Sequence, residues 1–179
     1  GHHMLMVGPP GAGKSLLAAC LPTLLPQLTE KEDREVALIA TATGAEYVGD
    51  SGPPFRAPHH SISMAALVGG GAGIPKPGEV TRAHRGVLFL DELGEFPPAV
   101  LDSLRQPMEA GHVLVSRQAA SIRFPTAIQV VAASNPCPCG HRGERNSDCG
   151  CIGVRLDRYR ARLSGPLLDR FDIRLRVER

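Results

Sequence analysis

The residues with the clearest chemical meaning form the segment Gly8-Pro9-Pro10-Gly11-Ala12-Gly13-Lys14-Ser15. It matches G-x-x-x-x-G-K-S/T at every fixed position and directly follows the apolar run Leu5-Met6-Val7. Glycines let such a loop curl so that successive N–H groups point at phosphate oxygens, and the following helix adds its positive end. The lysine then reaches the β- and γ-phosphates, and the serine hydroxyl ligates Mg²⁺. The segment, called the P-loop below, therefore predicts Mg²⁺-dependent ATP binding.

Two acidic residues follow a second apolar run. Residues 87–90 are continuously apolar, as expected of a strand buried on both faces of a parallel sheet, and Asp91 and Glu92 come next. An aspartate there holds Mg²⁺, and the adjacent glutamate polarises the attacking water, which favours hydrolysis over binding alone. A solvent-facing turn is the alternative. Asn135 ends another apolar run, where its amide can contact the γ-phosphate or the catalytic water; an ordinary turn residue is the alternative.

Cysteines form a second group with defined spacing. Cys137 and Cys139 make one C-x-C pair, and Cys149 and Cys151 make another, in a passage rich in glycine. Four soft ligands are compatible with tetrahedral zinc, although the commoner zinc spacing is C-x-x-C; His141 is a substitute ligand. The alternatives are reduced free thiols, or disulfides under oxidising conditions.

The elements that must position these residues alternate between strand and helix. Apolar runs predict strands at 5–7, 87–90, 128–133 and 173–177. Helical spacing or composition predicts the main helices, at 15–21, 30–43, 98–110 and 154–163. The alternation predicts an α/β fold with a doubly wound, mostly parallel sheet and its ligand at the carboxyl ends of the strands.

Two further segments are expected to project from this core. Residues 112–117 and 121–124 predict a β-hairpin. The passage 69–78 is so rich in glycine and proline that no regular structure is expected, which suggests a mobile functional loop.

Length and composition limit the remaining choices. The 179 residues suit one domain, and the net charge of +2 says little about partners. Between residues 155 and 179, eight arginines outnumber four acids, which suits nucleic acid, a neighbouring subunit or phosphates; a solvated helix face is the alternative. No run approaches the ~18 apolar residues of a membrane span and no signal peptide is visible, so we expect a cytoplasmic protein without a membrane partner. Residues 1–4 are interpreted as the remnant of an expression tag, and the abrupt ends suggest a domain cut from a longer protein.

Four motifs in this order and spacing resemble an AAA+ ATPase: GPPGAGKS, LFLDEL, AASNP and GPLLDRFD. The passages FRAPHHS at 55–61 and AHRG at 83–86 narrow the resemblance to the magnesium-chelatase-like branch, of the ComM/YifB type. It covers residues 5–179. It implies a P-loop AAA+ core with a five-stranded sheet, helices on both faces, a helix-2 insert at 61–83 and a hairpin before sensor 1 at 112–124. The family's C-terminal lid has no counterpart here.

The resemblance also implies roles for single residues. Gly8–Ser15 match Walker A, Asp91 and Glu92 match Walker B, and Asn135 matches sensor 1. Arg170 matches the arginine finger that acts on the nucleotide of the next subunit. The resemblance implies ATP and Mg²⁺ as cofactors and a homo-oligomeric ring, expected to be a hexamer.

The expected roles of Arg170 and of the two adjacent histidines have alternatives. Arg170 is expected to act in trans, but pairing with Asp169 or Asp172 on its own surface is the alternative. His59 and His60 are expected to have a structural or inter-subunit role, because adjacent side chains point apart in most backbones; a catalytic or metal-binding role is the alternative. Without a lid, the chain is expected to be mainly monomeric and nearly inactive.

Three functions fit these features. The first is a ring-forming ATPase motor, a helicase or translocase, that brings Lys76, Arg117 and Arg123 to the DNA backbone without reading sequence. The second is the motor subunit of a metal chelatase, which drives magnesium into a tetrapyrrole through partner proteins. The third is a nucleotide-dependent assembly module with little turnover. The resemblance favours the first.

Overall fold

A computed structural model of the chain describes residues 1–49, 52–118, 120–143, 149–163 and 165–178. Nine strands and eight α-helices occur in these ranges. In chain order they are β1 (Met4–Val7), α1 (Lys14–Cys20), α2 (Glu30–Thr43), β2 (Phe55–Arg56), α3 (Met64–Val68), β3 (Gly69–Gly70), β4 (Lys76–Pro77), α4 (Glu79–Arg82), β5 (Val87–Leu90), α5 (Pro98–Asp102), α6 (Arg105–Ala110), β6 (His112–Ser116), β7 (Ser121–Pro125), β8 (Gln129–Ser134), α7 (Val154–Arg162), α8 (Gly165–Leu168) and β9 (Ile173–Arg176). Short 3₁₀ helices occupy Leu21–Leu24 and Leu93–Glu95.

The central sheet has five strands in the order β2-β5-β8-β1-β9. Every neighbouring pair in it is parallel, which confirms the predicted α/β fold. The neighbours β5, β8 and β1 end directly before Asp91, Asn135 and Gly8, respectively. Because their carboxyl ends meet at one edge, the carboxyl edge, the sheet brings the predicted site residues together.

Side chains alternate between the two faces of the sheet, and each face has its own core. Beneath α3, α4, α5 and α8 lies the larger core, whose strand members include Leu5, Leu88, Leu90, Val130 and Ala132. The smaller core packs against α1, and its strand members are Met6, Val87, Phe89, Val131 and Ala133. Helices therefore cover both faces, as expected.

The predicted hairpin is confirmed as β6 paired with β7; Ala119, between the two strands in the sequence, lies outside the described residues. The expectation of no regular structure at 69–78 is wrong in part, because β3 and β4 form a short antiparallel pair there. Glycine makes this pairing possible: Gly69 has φ of 115°, and a Cβ there would lie 2.8 Å from the carbonyl oxygen of Lys76 on the opposite strand. Arg117 Nε donates to the Gly71 carbonyl at 3.2 Å, so the hairpin and the glycine passage contact each other.

Two other elements differ from the sequence expectations. The helix predicted over 98–110 is divided into α5 and α6 at Ser103 and Leu104. Pro107 explains the break, because it has no N–H to donate to Ser103 and its ring collides with that carbonyl in a continuous helix. Strand β2, which lies in a passage rich in glycine and proline, was not predicted.

The first residues of the chain join the sheet. Met4 begins β1, the carbonyl of His3 accepts from the Ile173 N–H at 3.1 Å, and His3 Nδ1 accepts from the Val130 N–H at 3.0 Å. The strand thus begins one residue earlier than predicted, and the origin of residues 1–4 as a tag remnant stays a prediction. Among the described residues, no helix is both long enough and apolar enough to cross a membrane.

The opposite edge of the sheet, the amino edge, carries a closed group of charges. Arg85 contacts Glu32 at 3.1 Å and Glu35 at 2.8 Å, which ties α2 to the start of β5. His84 is buried; its Nε2 lies 3.1 Å from Glu35, and its Nδ1 accepts from the Ala127 N–H at 3.0 Å. Each of these charges therefore has a partner within the fold.

Candidate nucleotide-binding site

A cavity of about 420 Å³ lies at the carboxyl edge. Its walls come from the P-loop and from the residues after β5 and β8: Pro10, Gly11, Ala12, Gly13, Lys14, Ser15, Leu16, Asp91, Glu92, Ala133, Ser134 and Asn135. The structure thus brings together the predicted Walker A, Walker B and sensor 1 residues. Arg170 and the four paired cysteines do not line this cavity.

The backbone of the P-loop depends on its glycines. Gly11 and Gly13 have φ of 75° and 80°, in the left-handed region that favours glycine. Gly8 is required for a different reason: a Cβ there would lie 2.2 Å from the carbonyl oxygen of Val177. The loop therefore curls between β1 and α1 while lying against the chain that follows β9.

Lys14 is buried beneath the loop that it serves. Its Nζ donates to the carbonyls of Gly8 at 2.7 Å and Pro9 at 2.8 Å, and to Asn135 Oδ1 at 3.3 Å. Burial lowers the pKa of Lys14, while the nearby carboxylate of Asp91 opposes that effect. A cation held in this way faces the cavity and is placed to attract phosphate oxygens.

Ser15 and Asp91 form the pair expected to hold Mg²⁺. The Ser15 hydroxyl donates to Asp91 Oδ2 at 2.7 Å, and Asp91 Oδ1 accepts from the N–H of Glu92 at 2.9 Å. Hydroxyl and carboxylate oxygens are the hard ligands that Mg²⁺ prefers, usually with several waters retained. The two side chains therefore fit the ion in donor type and proximity.

Glu92 has an unusual backbone for its residue type. Its φ is 51°, and its carboxylate lies 3.5 Å from His60 Nδ1. The rings of His59 and His60 are 4.0 Å apart, so the expectation that they point apart is wrong. Sequence reasoning missed the contact because it depends on β2 lying beside β5, and β2 was not identified.

Asn135 is fixed from two sides. Its side chain accepts from Lys14, and its backbone carbonyl accepts from the Tyr159 hydroxyl at 3.0 Å. Tyr159 also lies 3.2 Å from the Ser134 hydroxyl. Sequence reasoning did not single out Tyr159, although Leu156 and Tyr159 are spaced three residues apart on one face of α7 and both are buried.

Arg170 lies near the amino edge, three residues before β9. Its guanidinium pairs with Glu109 at 2.5 Å, so the partner is neither Asp169 nor Asp172. The side chain is 43% exposed. Since β9 separates Arg170 from the carboxyl edge, the arginine does not reach the P-loop of its own chain.

The four paired cysteines come together in space. Their Sγ atoms all lie within 4.8 Å of one another. Cys137 is 3.4 Å from Cys139 and 3.7 Å from Cys149, and Cys139 is 3.6 Å from Cys149. All four cysteines are free in this structure, whereas the sulfurs of a disulfide lie about 2.05 Å apart. Tetrahedral zinc at about 2.3 Å from each sulfur implies sulfurs about 3.8 Å apart, so the cluster fits that ion.

The pKa of Cys137 also suits metal binding. Burial by itself raises the pKa of Cys137, but hydrogen bonds from Cys139, from the Arg142 backbone and from Cys149 lower it to about 6. This shift favours the thiolate of Cys137, which is the form that binds metal.

The comparison with known proteins agrees with this geometry. The family model described as magnesium chelatase, subunit ChlI, matches residues 1–179. The chain belongs to the magnesium-chelatase ChlI family. The resemblance noted in the sequence is therefore confirmed, and the sheet is that expected of a P-loop AAA+ core.

Individual members of the ChlI family extend the comparison. The chain is 51% identical over 179 residues to competence protein ComM of Haemophilus influenzae, covering 98% of this chain and 34% of ComM. It is 50% identical over 180 residues to YifB of Escherichia coli, covering 99% of this chain and 35% of YifB. The magnesium-chelatase 38 kDa subunit of Rhodobacter capsulatus is 28% identical over 150 residues, covering 74% of this chain and 43% of that subunit. The chain thus spans about a third of the length of ComM and YifB.

Proposed function

We propose that this domain binds ATP with Mg²⁺ and hydrolyses it as the motor of a ring, expected to be a hexamer, that acts on DNA. One observation carries the proposal: three neighbouring strand ends bring the P-loop, Asp91, Glu92 and Asn135 to the same cavity. A phosphate cradle alone suits binding. The added carboxylate and amide suit hydrolysis.

The roles follow from the chemistry of each side chain. Lys14 supplies the cation for the β- and γ-phosphates, and Ser15 and Asp91 supply oxygens for Mg²⁺. When bound, Mg²⁺ neutralises charge on the phosphates. Glu92 orients and polarises the attacking water, and Asn135 contacts the γ-phosphate or that water.

The charges around the cavity support the proposed ring. Among the described residues that line the cavity, Lys14 is the only cationic one, and its proposed role is to bind the β- and γ-phosphates. Phosphoryl transfer commonly uses an additional arginine, in cis or from a second molecule. Arg170 lies at the far edge of its own sheet, so it suits the site of a neighbour in a head-to-tail assembly.

A DNA substrate is favoured by side chains on the insert and the hairpin. Lys76 and Arg123 are exposed, and both lie on these projecting elements. Arg117 is also exposed, but its guanidinium donates to the Gly71 and Ser116 carbonyls, so we assign it mainly to holding the two elements together. Backbone contacts by such residues need no base sequence.

A chelatase motor is the second candidate, and the family assignment is the observation that favours it. The experiment that tests the proposal measures ATP hydrolysis by the full-length protein with and without single-stranded DNA. Stimulation that fades as salt rises supports the DNA motor. No stimulation, but complex formation with chelatase-type partner proteins, supports the second candidate. ATP binding without turnover in any full-length assembly supports an assembly module.

Three lysine variants give this experiment its controls. Lys14→Ala should weaken ATP binding, because it removes the cation facing the phosphates. Lys76→Ala should weaken DNA binding and lower its salt dependence by about one counterion, whereas Lys31→Ala, on an exposed part of α2, should do neither. Unchanged ATP affinity in Lys14→Ala would contradict the P-loop assignment.

We also propose one zinc ion per chain at Cys137, Cys139, Cys149 and Cys151. The mutual distances of the sulfurs and their type support it. Metal analysis of full-length protein purified without chelator should find one zinc per chain. Absence of zinc, with all four thiols freely titratable, would contradict the proposal.

A further inference from the structure

The loop that carries the cysteines also touches the P-loop. This cysteine loop is defined here as residues 137–143 and 149–153. Gly140, at φ 85°, lies against the P-loop so closely that an added Cβ would be 2.6 Å from Pro10 Cδ. The same Cβ would be 3.9 Å from Asn135 Cγ. One short segment therefore joins the thiol cluster to the phosphate loop and to the candidate sensor.

Helix α7 makes a second connection from the cluster to the site. Leu156 on α7 packs with the buried Cys137 and Cys151. One turn later, the Tyr159 hydroxyl donates to the Asn135 carbonyl, and the Tyr159 ring fills the space where a Gly94 side chain would be, 2.7 Å from its Cβ position. The helix thus runs from the cysteines to the strand end of Asn135 and to the turn after Glu92.

The other support of the cluster is a hydrogen bond from Arg142 Nη1 to the Cys151 carbonyl at 3.0 Å and a small apolar core. Its apolar core contains only three buried residues among those described, two of them the cysteines Cys137 and Cys151. A core of that size contributes little by burial, so a metal cross-link is the strongest available constraint on the loop. Without it, four thiols at these distances lose their common ligand, and the Gly140–Pro10 contact loses its fixed support.

We propose that a metal ion in the cysteine cluster fixes the P-loop through Gly140 and so sets the nucleotide affinity of the domain. The proposal rests on the proposed nucleotide-binding function. Its physical basis is preorganisation: a loop already held in its phosphate-binding conformation loses less entropy when the nucleotide binds. Tight binding of nucleotide at the P-loop then requires a metal ion in the cysteine cluster.

The first experiment compares the full-length protein as purified, after chelation, and after reloading with zinc alone. A fluorescent ADP analogue reports the nucleotide Kd, and circular dichroism reports whether the fold persists. Chelation should weaken ADP binding by about tenfold, which corresponds to about 1.4 kcal/mol, and zinc should restore it. An equal Kd in zinc-depleted and zinc-loaded protein would overturn the proposal.

The second experiment keeps the metal and alters only the contact. Gly140→Ala places a Cβ against Pro10, whereas Gly143→Ala, at φ 88° in the same loop, meets only the end of the Arg176 side chain at 3.0 Å. Both substitutions carry similar backbone strain. Gly140→Ala should retain one zinc and bind ADP about tenfold more weakly than Gly143→Ala. Equal ADP affinities in the two zinc-loaded variants would overturn the Gly140 route.

Failure of this inference is distinguishable from failure of the proposed function. If zinc-loaded parental protein binds no ADP, the nucleotide site itself is wrong. If it binds ADP in a manner that requires Lys14 but ignores metal and Gly140, only the coupling is wrong. Purified protein that holds no metal and binds none on addition of zinc also overturns the coupling.

Discussion

The two ends of strand β5 make an instructive pair. Among the described residues, the only non-glycine residues with positive φ are Arg85, two residues before the strand, and Glu92, two residues after it. Arg85 is anchored: its N–H donates to the Ala127 carbonyl at 2.8 Å, and its side chain pairs with Glu32 and Glu35. Glu92 faces the cavity.

This difference separates a structural position from a functional one. A left-handed backbone costs an ordinary residue about 1 kcal/mol or more, and the surrounding contacts must offset that cost. At the amino edge the offset is visible as a closed set of ion pairs. At the carboxyl edge the carboxylate of Glu92 is 55% exposed, with His60 3.5 Å away, so its position serves the cavity rather than the fold.

The largest expected effect concerns Arg170. It tests whether this arginine, near the amino edge of one chain, acts on the nucleotide site at the carboxyl edge of another. If the full-length protein forms the proposed ring, Arg170→Ala should keep nucleotide affinity but lose about 10³-fold or more of its turnover, because an arginine finger stabilises charge that develops in the transition state. Arg174→Ala, which removes a neighbouring exposed arginine, is the control. Steady-state ATPase rates and ADP affinities of the two variants, Arg170→Ala and Arg174→Ala, measure the difference.

Mixed rings make the same test directional. Rings that combine Glu92→Gln subunits with Arg170→Ala subunits should be active only where an intact Glu92 meets an intact Arg170. Parental turnover in the Arg170→Ala protein would refute action in trans.

The next effect concerns Glu92 alone. Glu92→Gln should retain ATP but reduce hydrolysis by about 10²–10⁴-fold, because the amide cannot accept a proton from water. Glu95→Gln, three residues later and paired with Arg162 rather than facing the cavity, should leave the rate nearly unchanged. Normal turnover of the full-length Glu92→Gln protein would show that another residue activates the water.

The free energy of unfolding should depend more on Arg85 than on Glu92, whereas turnover should depend on Glu92. Arg85→Ala should lower the free energy of unfolding by about 1–2 kcal/mol, because it removes both ion pairs and leaves Glu35 without its guanidinium. Glu92→Ala should change it by less than about 0.5 kcal/mol, as expected of an exposed side chain with few contacts. Urea unfolding of the two variants measures this contrast, and equal losses would erase the distinction between the two ends of β5.

The smallest effect is a pH dependence at the amino edge. Burial lowers the pKa of His84, although its hydrogen bond to Glu35 opposes that effect, with Arg85 and Glu32 also nearby. Accepting the Ala127 N–H requires an unprotonated Nδ1. The unfolded state therefore binds more protons below pH ~6.5, and stability should fall as pH drops through that value, by at most about 1.4 kcal/mol per pH unit.

Thermal unfolding between pH 7.5 and 5.5 measures this slope. His84→Gln should flatten this slope relative to the parental protein. His3 contributes with the same sign, because burial lowers its pKa too and its Nδ1 accepts the Val130 N–H. A melting temperature that rises on acidification over this range would reverse the assigned sign.

Sequence reasoning succeeded where the chemistry is encoded in neighbouring residues. The P-loop is contiguous, and its glycines fix a backbone that depends little on the rest of the chain. Asp91, Glu92 and Asn135 each end an apolar run, so their meeting at one edge follows from parallel pairing alone. The break between α5 and α6 was not predicted, although Pro107 carries a local signal for it, since a proline within a helix removes a specific hydrogen bond.

Contacts between distant segments could not be predicted in the same way. Strand β2 has two residues and exists because β5 lies beside it, so the nearness of His60 to Glu92 has no local signal. Glu109 as the partner of Arg170 likewise depends on where α6 ends relative to α8. The spacing of the four cysteines suggested that their thiols meet. The contact of their loop with the P-loop through Gly140 has no local signal in the sequence.

The neighbours of β1 have a consequence for how the protein is made. This strand begins at Met4, yet its two partners are β8 and β9, and the P-loop packs against Val177. The nascent chain grows at ~5–20 residues per second, so during most of the synthesis of this domain the P-loop exists without the strands that flank it. We expect the ability to bind nucleotide to arise late, after β9 has left the ribosome. ATP would then bind the folded domain and would not assist its folding.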